Sequence, residues 1–433
     1  MKHNIPPPDN LPRISQSELN KTLEHHDMYL RGQVGGKRAV LQYVDLSELD
    51  FYNHDLSQAD FTGSKFYKTD MSSGTYRGAC FFACDLQYTN LSKADLSRTD
   101  LRGSNLSGAN LSGADLTDAD MREGKIVQKK DKEDFTDRGR GKIKGRGVVL
   151  AGVRLKNANL SGIRATSADF TDADLSKAVS HNANFKNVTF RGANLNNADF
   201  TGSDITNADM RNTILSDTIF KGTENYGVNK DGAVTQDTIG TRLEDGGASL
   251  ALMIEDHEIW VKTAGKSGTQ LNLSNHDLRG VKGLRRNALT AIRALETCFL
   301  HMDLSNISMQ SSFLDGADFR DCDLENADLR GSSLRSSKMT RSNLRGIRLS
   351  PLKFKNKDGS TKLKRVDLSG SDLRFADLEN ADLRDAVLMG VDFTNANLAN
   401  ADLRRADLTG AALKGANMNS TKIDDAIIDF TDI

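Results

Sequence analysis

The sequence predicts an all-β solenoid, a fold in which short extended segments wind into stacked coils. Two observations predict it. Aromatic residues are only 6% and hydrophobic residues 37% of the 433 residues, which is low for a large globular core but enough for a column one residue wide. An apolar residue also returns at every fifth position, with a small residue, mostly Ala, two positions before it. The clearest run has its apolar residues at Leu91, Leu96, Leu101, Leu106, Leu111, Leu116 and Met121.

A period of five fits neither an α-helix nor a continuous β-strand. In a helix, which turns about 100° per residue, these leucines would wind around the whole circumference, and in a strand they would alternate between the two faces. The chain must therefore turn a corner after every five residues. Positions i and i−2 of a short extended segment share one face, so the large and the small residue both point inward. Four such sides close a square coil, and stacked coils bury a continuous column.

The repeating motif is A(D/N)LXX, as in Ala94-Asp95-Leu96 and Ala109-Asn110. In this motif the chain resembles the pentapeptide repeat family. The resemblance implies a right-handed quadrilateral β-helix with a narrow, filled interior. The outward positions carry Asp, Asn, Ser, Gly, Lys and Arg, which tolerate turns and water.

The first element in chain order is a leader helix. Residues 1–14 are rich in proline and predict a loose extended arm. Ser15 and Glu18 then have the spacing of a capping box, and apolar residues return at i+3 and i+4 from Leu19 onward. The glycines that begin at Gly32 end the helix.

The five-residue period follows the leader and occurs in two runs. The first run covers residues 41–121 without a slip. It is interrupted at residues 125–147 and resumes one residue out of phase over residues 150–220. Residues 221–247 lose the period and predict a connector.

The same plan then repeats, which predicts two tandem units, residues 1–240 and 241–433. Each unit begins with a short helix, which we expect to cap the first coil, because the backbone edge of that coil would otherwise be open to pairing. The equivalent residues of the two leaders are Leu23 and Ile254, His26 and His257, Tyr29 and Trp260, Leu30 and Val261, Gly36 and Gly268, and Leu41 and Leu273.

The second unit repeats the interruption as well. Its first register covers residues 284–354, a basic hairpin is predicted at residues 353–365, and a last run covers residues 363–433. Residues 284–296 also fit a short helix. Coil is the preferred interpretation because it gives the two units the same number of sides.

The two interruptions are the most distinctive candidate sites. Both are basic, and their equivalent places predict a pair of arms that project from corresponding corners. Such arms suit an acidic protein partner or nucleic acid, although the alternative, a solvated loop tolerated by a rigid scaffold, is favoured about two to one. Few aromatics are interleaved, which argues against base stacking. The candidate partner-binding residues are Lys129, Lys130, Arg138, Arg140, Lys142, Lys144 and Arg146 in the first arm and Lys353, Lys355, Lys357, Lys362, Lys364 and Arg365 in the second.

No pattern of catalytic or metal-binding residues accompanies the repeats. His26 and Tyr29, with their counterparts His257 and Trp260, are interpreted as structural residues of the helix caps, since no second ligand recurs at metal spacing. The cysteines have no paired spacing and are expected to act as small core residues. The carboxylates recur with the repeat, which is typical of turn residues. We therefore expect no enzyme activity, cofactor or metal.

The function that the sequence favours is a protein-interaction scaffold with rigid faces and two basic arms. Its partner is a protein of unknown identity. Nucleic-acid binding through the arms is an alternative, and self-association through the uncapped C-terminal coil is a further expectation. No apolar run reaches the roughly 18 residues of a membrane span, and residues 1–10 lack the apolar core of a signal peptide, so a cytoplasmic protein without membrane contact is expected.

The family resemblance implies one more function. Some pentapeptide repeat proteins bind DNA gyrase by imitating the shape and charge of DNA. Those proteins are markedly acidic and carry a C-terminal dimerisation helix, whereas this chain has a net charge of −1 and ends in repeats. Arginines such as Arg102, Arg330 and Arg384 are expected to scatter positive charge over the surface. DNA gyrase is therefore a candidate partner but not the favoured one.

Overall fold

The structure is a computed structural model of the chain, which forms two compact units, Met1–Thr238 and Ile239–Ile433. For residues 125–127 and 143–146 it describes the backbone only. The described residues are 11–127, 143–236, 240–243, 250–281, 284, 289–355 and 360–428.

Regular elements are few, because most of the chain consists of two-residue turns separated by single β-bridges. β1 and β2 pair as an antiparallel hairpin, as do β5 and β6, while the short β3 and β4 pair in parallel. The elements are α1 (Gln16–Leu30), β1 (Gly124–Val127), β2 (Ile143–Arg146), β3 (Thr241–Arg242), α2 (Leu250–Lys262), β4 (His276–Asp277), β5 (Leu352–Lys355) and β6 (Thr361–Lys364).

The bridges define four-sided coils. Most isolated bridges of the described residues join a residue to the one twenty positions later, as in Val40 with Asp60, and those that span an interruption are longer; all of them are parallel. In that bridge the Leu41 N–H donates to Asp60 O (2.8 Å) and the Asp60 N–H donates to Ala39 O (3.0 Å). Four five-residue sides thus make one coil, and each coil is hydrogen-bonded to the next on every side.

The corners explain the residues of the motif. At a typical corner the Ala109 N–H donates to Leu106 O (2.9 Å), which closes a β-turn, and Gly108 adopts a left-handed φ of 68°. Asn and Asp often replace glycine at this position, since they tolerate left-handed backbone better than other residues with a Cβ. The bridging Asp or Asn closes the next turn, because its side chain accepts from the N–H two residues later; Asp45 does so from Ser47 (2.9 Å).

The core is the predicted inward column. Leu106, Phe200 and Leu403 are all 0% exposed, and aromatic rings of successive coils stack, as Phe299 and Phe319 do at 4.6 Å between centroids. Several polar residues at the small inward position donate to a buried carbonyl of the preceding coil, as Ser64 does to Leu41 O (2.6 Å) and Thr69 to Leu46 O (2.8 Å). Cys84 and Cys322 do the same through Sγ, to Phe61 O (3.0 Å) and Phe299 O (2.8 Å), which confirms their expected place in the core.

Residues 221–235 are coil, and the prediction of a connector there was wrong. Glu224 and Asn229 bridge back to the preceding coil, and Val234 does so to Ile214. The five-residue signal is missing because the inward positions of this coil, Asn225 and Lys230, are exposed. A terminal coil can keep its backbone hydrogen bonds without apolar side chains, so periodicity alone does not detect it.

Two apolar residues at the ends of the predicted five-residue runs of the second unit, 284–354 and 363–433, also do not point inward. Phe354 lies on β5 and is 41% exposed, and Leu363 lies on β6 and is 51% exposed. Both match the five-residue phase by coincidence. The buried core is interrupted after Leu349 and resumes with Val366. Residues 289–296 form coil sides, as preferred, whereas residues 285–288 of the ambiguous stretch lie outside the described residues.

Each leader helix packs against the first coils of its unit. Ser15 and Glu18 form the predicted capping box at the start of α1, and its buried residues are Leu19, Leu23 and His26. The buried residues of α2 are Ile254 and His257.

After each leader helix the chain passes so close to the helix that only glycine fits. A Cβ at Gly36 would lie 2.4 Å from Tyr29 N, and one at Gly268 would lie 2.4 Å from Asp256 O. Because a backbone atom cannot move aside as a flexible side chain can, we expect Gly36→Ala to destabilise the first unit by about 1–3 kcal/mol. Urea unfolding followed by circular dichroism measures the change.

The matched control for this variant is Gly32→Ala. Gly32 has a φ of 64° with open space around its missing Cβ, so its replacement costs only the left-handed backbone strain, about 1 kcal/mol. A Gly36→Ala protein as stable as the Gly32→Ala protein would contradict the packing described.

Candidate interaction surface

Both basic interruptions form hairpins inserted between coils. Asn105 bridges to Val149 across the first, and Ser333 bridges to Asp367 across the second. The stack of coils therefore continues under each hairpin. A segment that leaves the stack in this way contributes little to the core and is free to carry a surface function.

Equivalent glycines hold the two hairpin roots. A Cβ at Gly331 would lie 2.9 Å from Leu352 Cβ, at the start of β5. In the first unit a Cβ at Gly124, at the start of β1, would lie 2.9 Å from Gly103 N. Both hairpins thus leave a corner where the coil beneath has a glycine and allows close approach.

The predicted cations do not share one environment. Lys144 and Arg146 lie on β2, and the cations of the second arm flank or lie on β5 and β6. The predicted residues Lys129, Lys130, Arg138, Arg140, Lys142 and Lys357 lie outside the described residues.

Two cations of the second arm bind backbone carbonyls of the coils; Lys364 is half-buried, whereas Arg365 stays exposed. Lys364 Nζ donates to Ser311 O (3.1 Å) and lies 5.2 Å from the centroid of the Phe313 ring. Burial lowers the pKa of Lys364. Arg365 donates to the backbone carbonyls of Asp385 and Ala386. These two side chains therefore anchor the hairpin root.

The remaining described cations of this arm are exposed. Lys353, Lys355 and Lys362 all have exposed side chains. Since Lys353 pairs with Leu363 and Phe354 pairs with Lys362 across the hairpin, each face mixes cationic and apolar side chains.

Most arginines of the coils are paired locally, so they do not scatter free positive charge as expected. Arg384 shows the common geometry: Nε donates to Asp382 Oδ1 (2.7 Å) and Nη2 to Asp382 Oδ2 (2.8 Å). The sequence signal, Asp-x-Arg with an inward x, is visible in retrospect. The same pairing joins Asp100 to Arg102, Asp120 to Arg122, Asp209 to Arg211, Asp277 to Arg279, Asp318 to Arg320, Asp328 to Arg330, Asp372 to Arg374 and Asp402 to Arg404.

The Nδ1 atoms of the two leader histidines make equivalent contacts, while within the described residues only His257 also has a hydrogen-bond partner at Nε2, Thr290 O (3.0 Å). His26 Nδ1 accepts from the Ala39 N–H (2.9 Å), and His257 Nδ1 accepts from the Leu271 N–H (3.1 Å). Each ring stacks on an aromatic residue of its own helix, His26 on Tyr29 at 5.7 Å and His257 on the equivalent Trp at 5.6 Å. A ring nitrogen that accepts a hydrogen bond carries no proton, so both imidazoles are neutral.

The described residues contain no arrangement typical of a metal site. No group of three or more His, Cys, Asp or Glu among them is placed to hold an ion. Within the same residues, neither helix is long and apolar enough to cross a membrane.

A stack of four-sided coils with five-residue sides defines a class of repeat solenoid. The family model "Pentapeptide repeats" matches more than half of the chain, and the chain belongs to this family, whose members adopt a right-handed quadrilateral β-helix. The matched residues are 38–73, 79–122, 146–179, 182–222, 298–350, 360–388 and 386–425.

Solved structures of the same family are similar to the chain at low identity. A trypsin-treated variant of QnrB1, a plasmid-mediated fluoroquinolone resistance protein, is 19% identical, covers 46% of this chain and 86% of its own, and has a TM-score of 0.23. HetL, involved in heterocyst differentiation regulation in the cyanobacterium Nostoc, is 20% identical over 94% of this chain and 97% of its own, with a TM-score of 0.16.

A third solved structure is a pentapeptide repeat protein from the thylakoid lumen of Arabidopsis thaliana. It is 30% identical, covers 30% of this chain and 67% of its own, and has a TM-score of 0.13. No curated protein sequence matches the chain. With TM-scores this low, the family assignment rests on the repeats themselves.

The buried histidines predict a loss of stability in mild acid. Burial lowers the pKa of His26 and of His257 below the ordinary value of 6.5. As pH falls, the unfolded chain therefore protonates these histidines before the folded chain does. The neutral histidines contribute fully to the free energy of unfolding above about pH 6.5, and this contribution is lost as pH falls through the folded-state pKa. The free energy of unfolding should fall between pH 7.5 and 5, and less so in the double variant His26→Gln, His257→Gln.

Urea unfolding at several pH values measures this dependence. Carboxylates with a lowered pKa, such as Asp402, lose their contribution only below the ordinary value of 3.8, outside this range. His54→Gln, at an exposed histidine, should keep the wild-type pH dependence. If the double variant keeps it as well, the two buried rings are not its source.

Proposed function

We propose that the chain is a non-enzymatic protein-interaction scaffold whose second hairpin presents positive charge to an acidic partner. The membership of a family of repeat proteins without a common catalytic site supports this function. The observation that carries it is the β5–β6 hairpin, which leaves the coil stack intact and exposes Lys353, Lys355 and Lys362. A rigid support of this kind keeps the entropic cost of binding low.

The proposed organisation is a tandem duplication, residues 1–240 and 241–433, with each unit closed by its leader helix. The matching contacts of His26 and His257 support it, since each accepts from a backbone N–H beside the first coil. Tyr29 and Trp260 support the rings by stacking. In this account the four residues are structural parts of the caps.

Three alternatives predict other partners. DNA gyrase binding would use the coil faces, where Asp-x-Arg pairing leaves little net charge. Nucleic-acid binding would use the arms and would weaken steeply with salt. Self-association would use the last described coil, where Ile423 is 42% and Ile427 58% exposed.

The test reverses charge on the second hairpin. We expect Lys355→Glu with Lys362→Glu to reduce capture of partner proteins from an extract of the source cells at least about tenfold, because electrostatic attraction becomes repulsion. The control, Lys414→Glu with Lys422→Glu, makes the same change at exposed lysines elsewhere in the second unit and should leave capture unchanged. Quantitative mass spectrometry of the captured proteins is the measurement.

The outcomes separate the alternatives. Equal capture by both variants would overturn the hairpin as the binding element. Loss of capture after nuclease treatment would favour nucleic acid, and inhibition of gyrase supercoiling that persists in the hairpin variant would favour gyrase.

A further inference from the structure

A cleft lies where the second hairpin meets the coils of the second unit. Its volume is about 480 Å³, within the range of roughly 300–1,000 Å³ that is common for ligand pockets. One wall comes from the hairpin and the preceding corner, and the other from coil corners. The lining residues are Arg330, Ser350, Pro351, Leu352, Lys353, Leu363, Arg384, Asp385 and Arg405.

The walls of the cleft carry more cationic side chains than carboxylates, although each of its three arginines is paired with an Asp. Arg330, Lys353, Arg384 and Arg405 line it with four cations, and Asp385 is the only carboxylate among the lining residues. The guanidiniums are also partly open to solvent, with the side chains of Arg384 and Arg405 being 43% and 52% exposed. An incoming anion can therefore reach them.

The arginines are held in place with hydrogen-bonding capacity left over. Arg330 and Arg384 each donate Nε and Nη2 to the Asp two residues earlier, and Arg405 donates the same two groups to Asp385 at 2.7 and 2.8 Å. Within the described residues, Nη1 of these arginines makes no hydrogen bond or ion pair. In each of these arginines, the edge of the guanidinium fork that carries Nη1 and Nη2 therefore remains available to a second carboxylate.

The remaining lining is apolar and aliphatic. Pro351, Leu352 and Leu363 lie beside the cations, and Leu363 is 51% exposed. Among the described residues that line the cleft, none is aromatic, so they offer no ring on which a base could stack. Carboxylates next to an aliphatic side chain complement this surface better than a nucleic acid does.

We propose that the cleft binds an extended acidic peptide segment of a partner protein, with carboxylates on the three arginine forks and Lys353 and an aliphatic side chain against Leu352 and Leu363. This inference rests on the proposed scaffold function and names the partner chemistry. The Asp residues that pair with the arginines act as positioning residues, since they fix each fork before the peptide arrives.

The test is fluorescence anisotropy with the full-length protein and a labelled eight-residue peptide of alternating Asp and Leu. Lys353→Gln should weaken binding about fivefold, and Lys353→Gln with Arg405→Gln at least about fiftyfold, because charge-assisted hydrogen bonds are lost. The Lys353 side chain has no hydrogen bond or ion pair within the described residues, so we expect its replacement to leave the fold intact. The control, Lys414→Gln with Lys422→Gln, removes two exposed charges of the second unit outside both the hairpin and the cleft and should change binding less than about twofold.

Two further probes complete the design. A peptide of alternating Asn and Leu should not bind, and single-stranded DNA of eight nucleotides should bind more weakly than the acidic peptide. Equal weakening by the cleft and control variants, or tighter binding of the DNA, would overturn the proposal. If the acidic peptide does not bind while partner capture still depends on Lys355 and Lys362, the cleft proposal fails and the scaffold function stands.

Discussion

The backbone ladder between coils is the constraint on which the rest of the structure depends. Every side of a coil donates N–H groups to the next coil, as Leu41 does to Asp60 (2.8 Å). Because these hydrogen bonds join equivalent sides of successive coils, side chains at every fifth position of a coil must point inward and stack in register. A segment can leave the ladder only at a corner and must return to the same register. The two hairpins satisfy this condition, and they provide surface without weakening the core.

The sequence predicted the core well because the interior is only one large side chain wide. A single large apolar side chain therefore fills the interior at each regular inward position, as Leu106 and Phe200 do. The five-residue period of such residues is enough to identify the core. The prediction failed where this logic does not hold. Phe354 has the right phase but lies on a strand of a hairpin, and residues 221–235 keep the ladder although Asn225 and Lys230 occupy inward positions. Phase alone does not distinguish these cases.

The candidate site could be predicted only in part. A run of lysines and arginines marks the arms in the sequence. Whether a cation anchors the hairpin to the coils or is exposed on it depends on tertiary contacts. Lys364 and Arg365 bind carbonyls of distant coils, which no local pattern reveals. The cleft, likewise, brings Lys353 next to Arg405 from a later coil. The pairing of Arg384 with Asp382 is local, and an Asp-x-Arg pattern in the repeats would have predicted it.

The distance along one column of stacked coils tests the account most directly. Asp55 and Ile219 belong to one column and are separated by seven bridges, one of which crosses the first hairpin. Spin labels at Asp55→Cys and Ile219→Cys, in a Cys80→Ser background because the other three cysteines are buried, report this distance by pulsed electron paramagnetic resonance. Coils stacked about 4.8 Å apart predict a single narrow peak near ~34 Å. A broad distribution, or a peak beyond about 50 Å, would contradict the continuous four-sided stack.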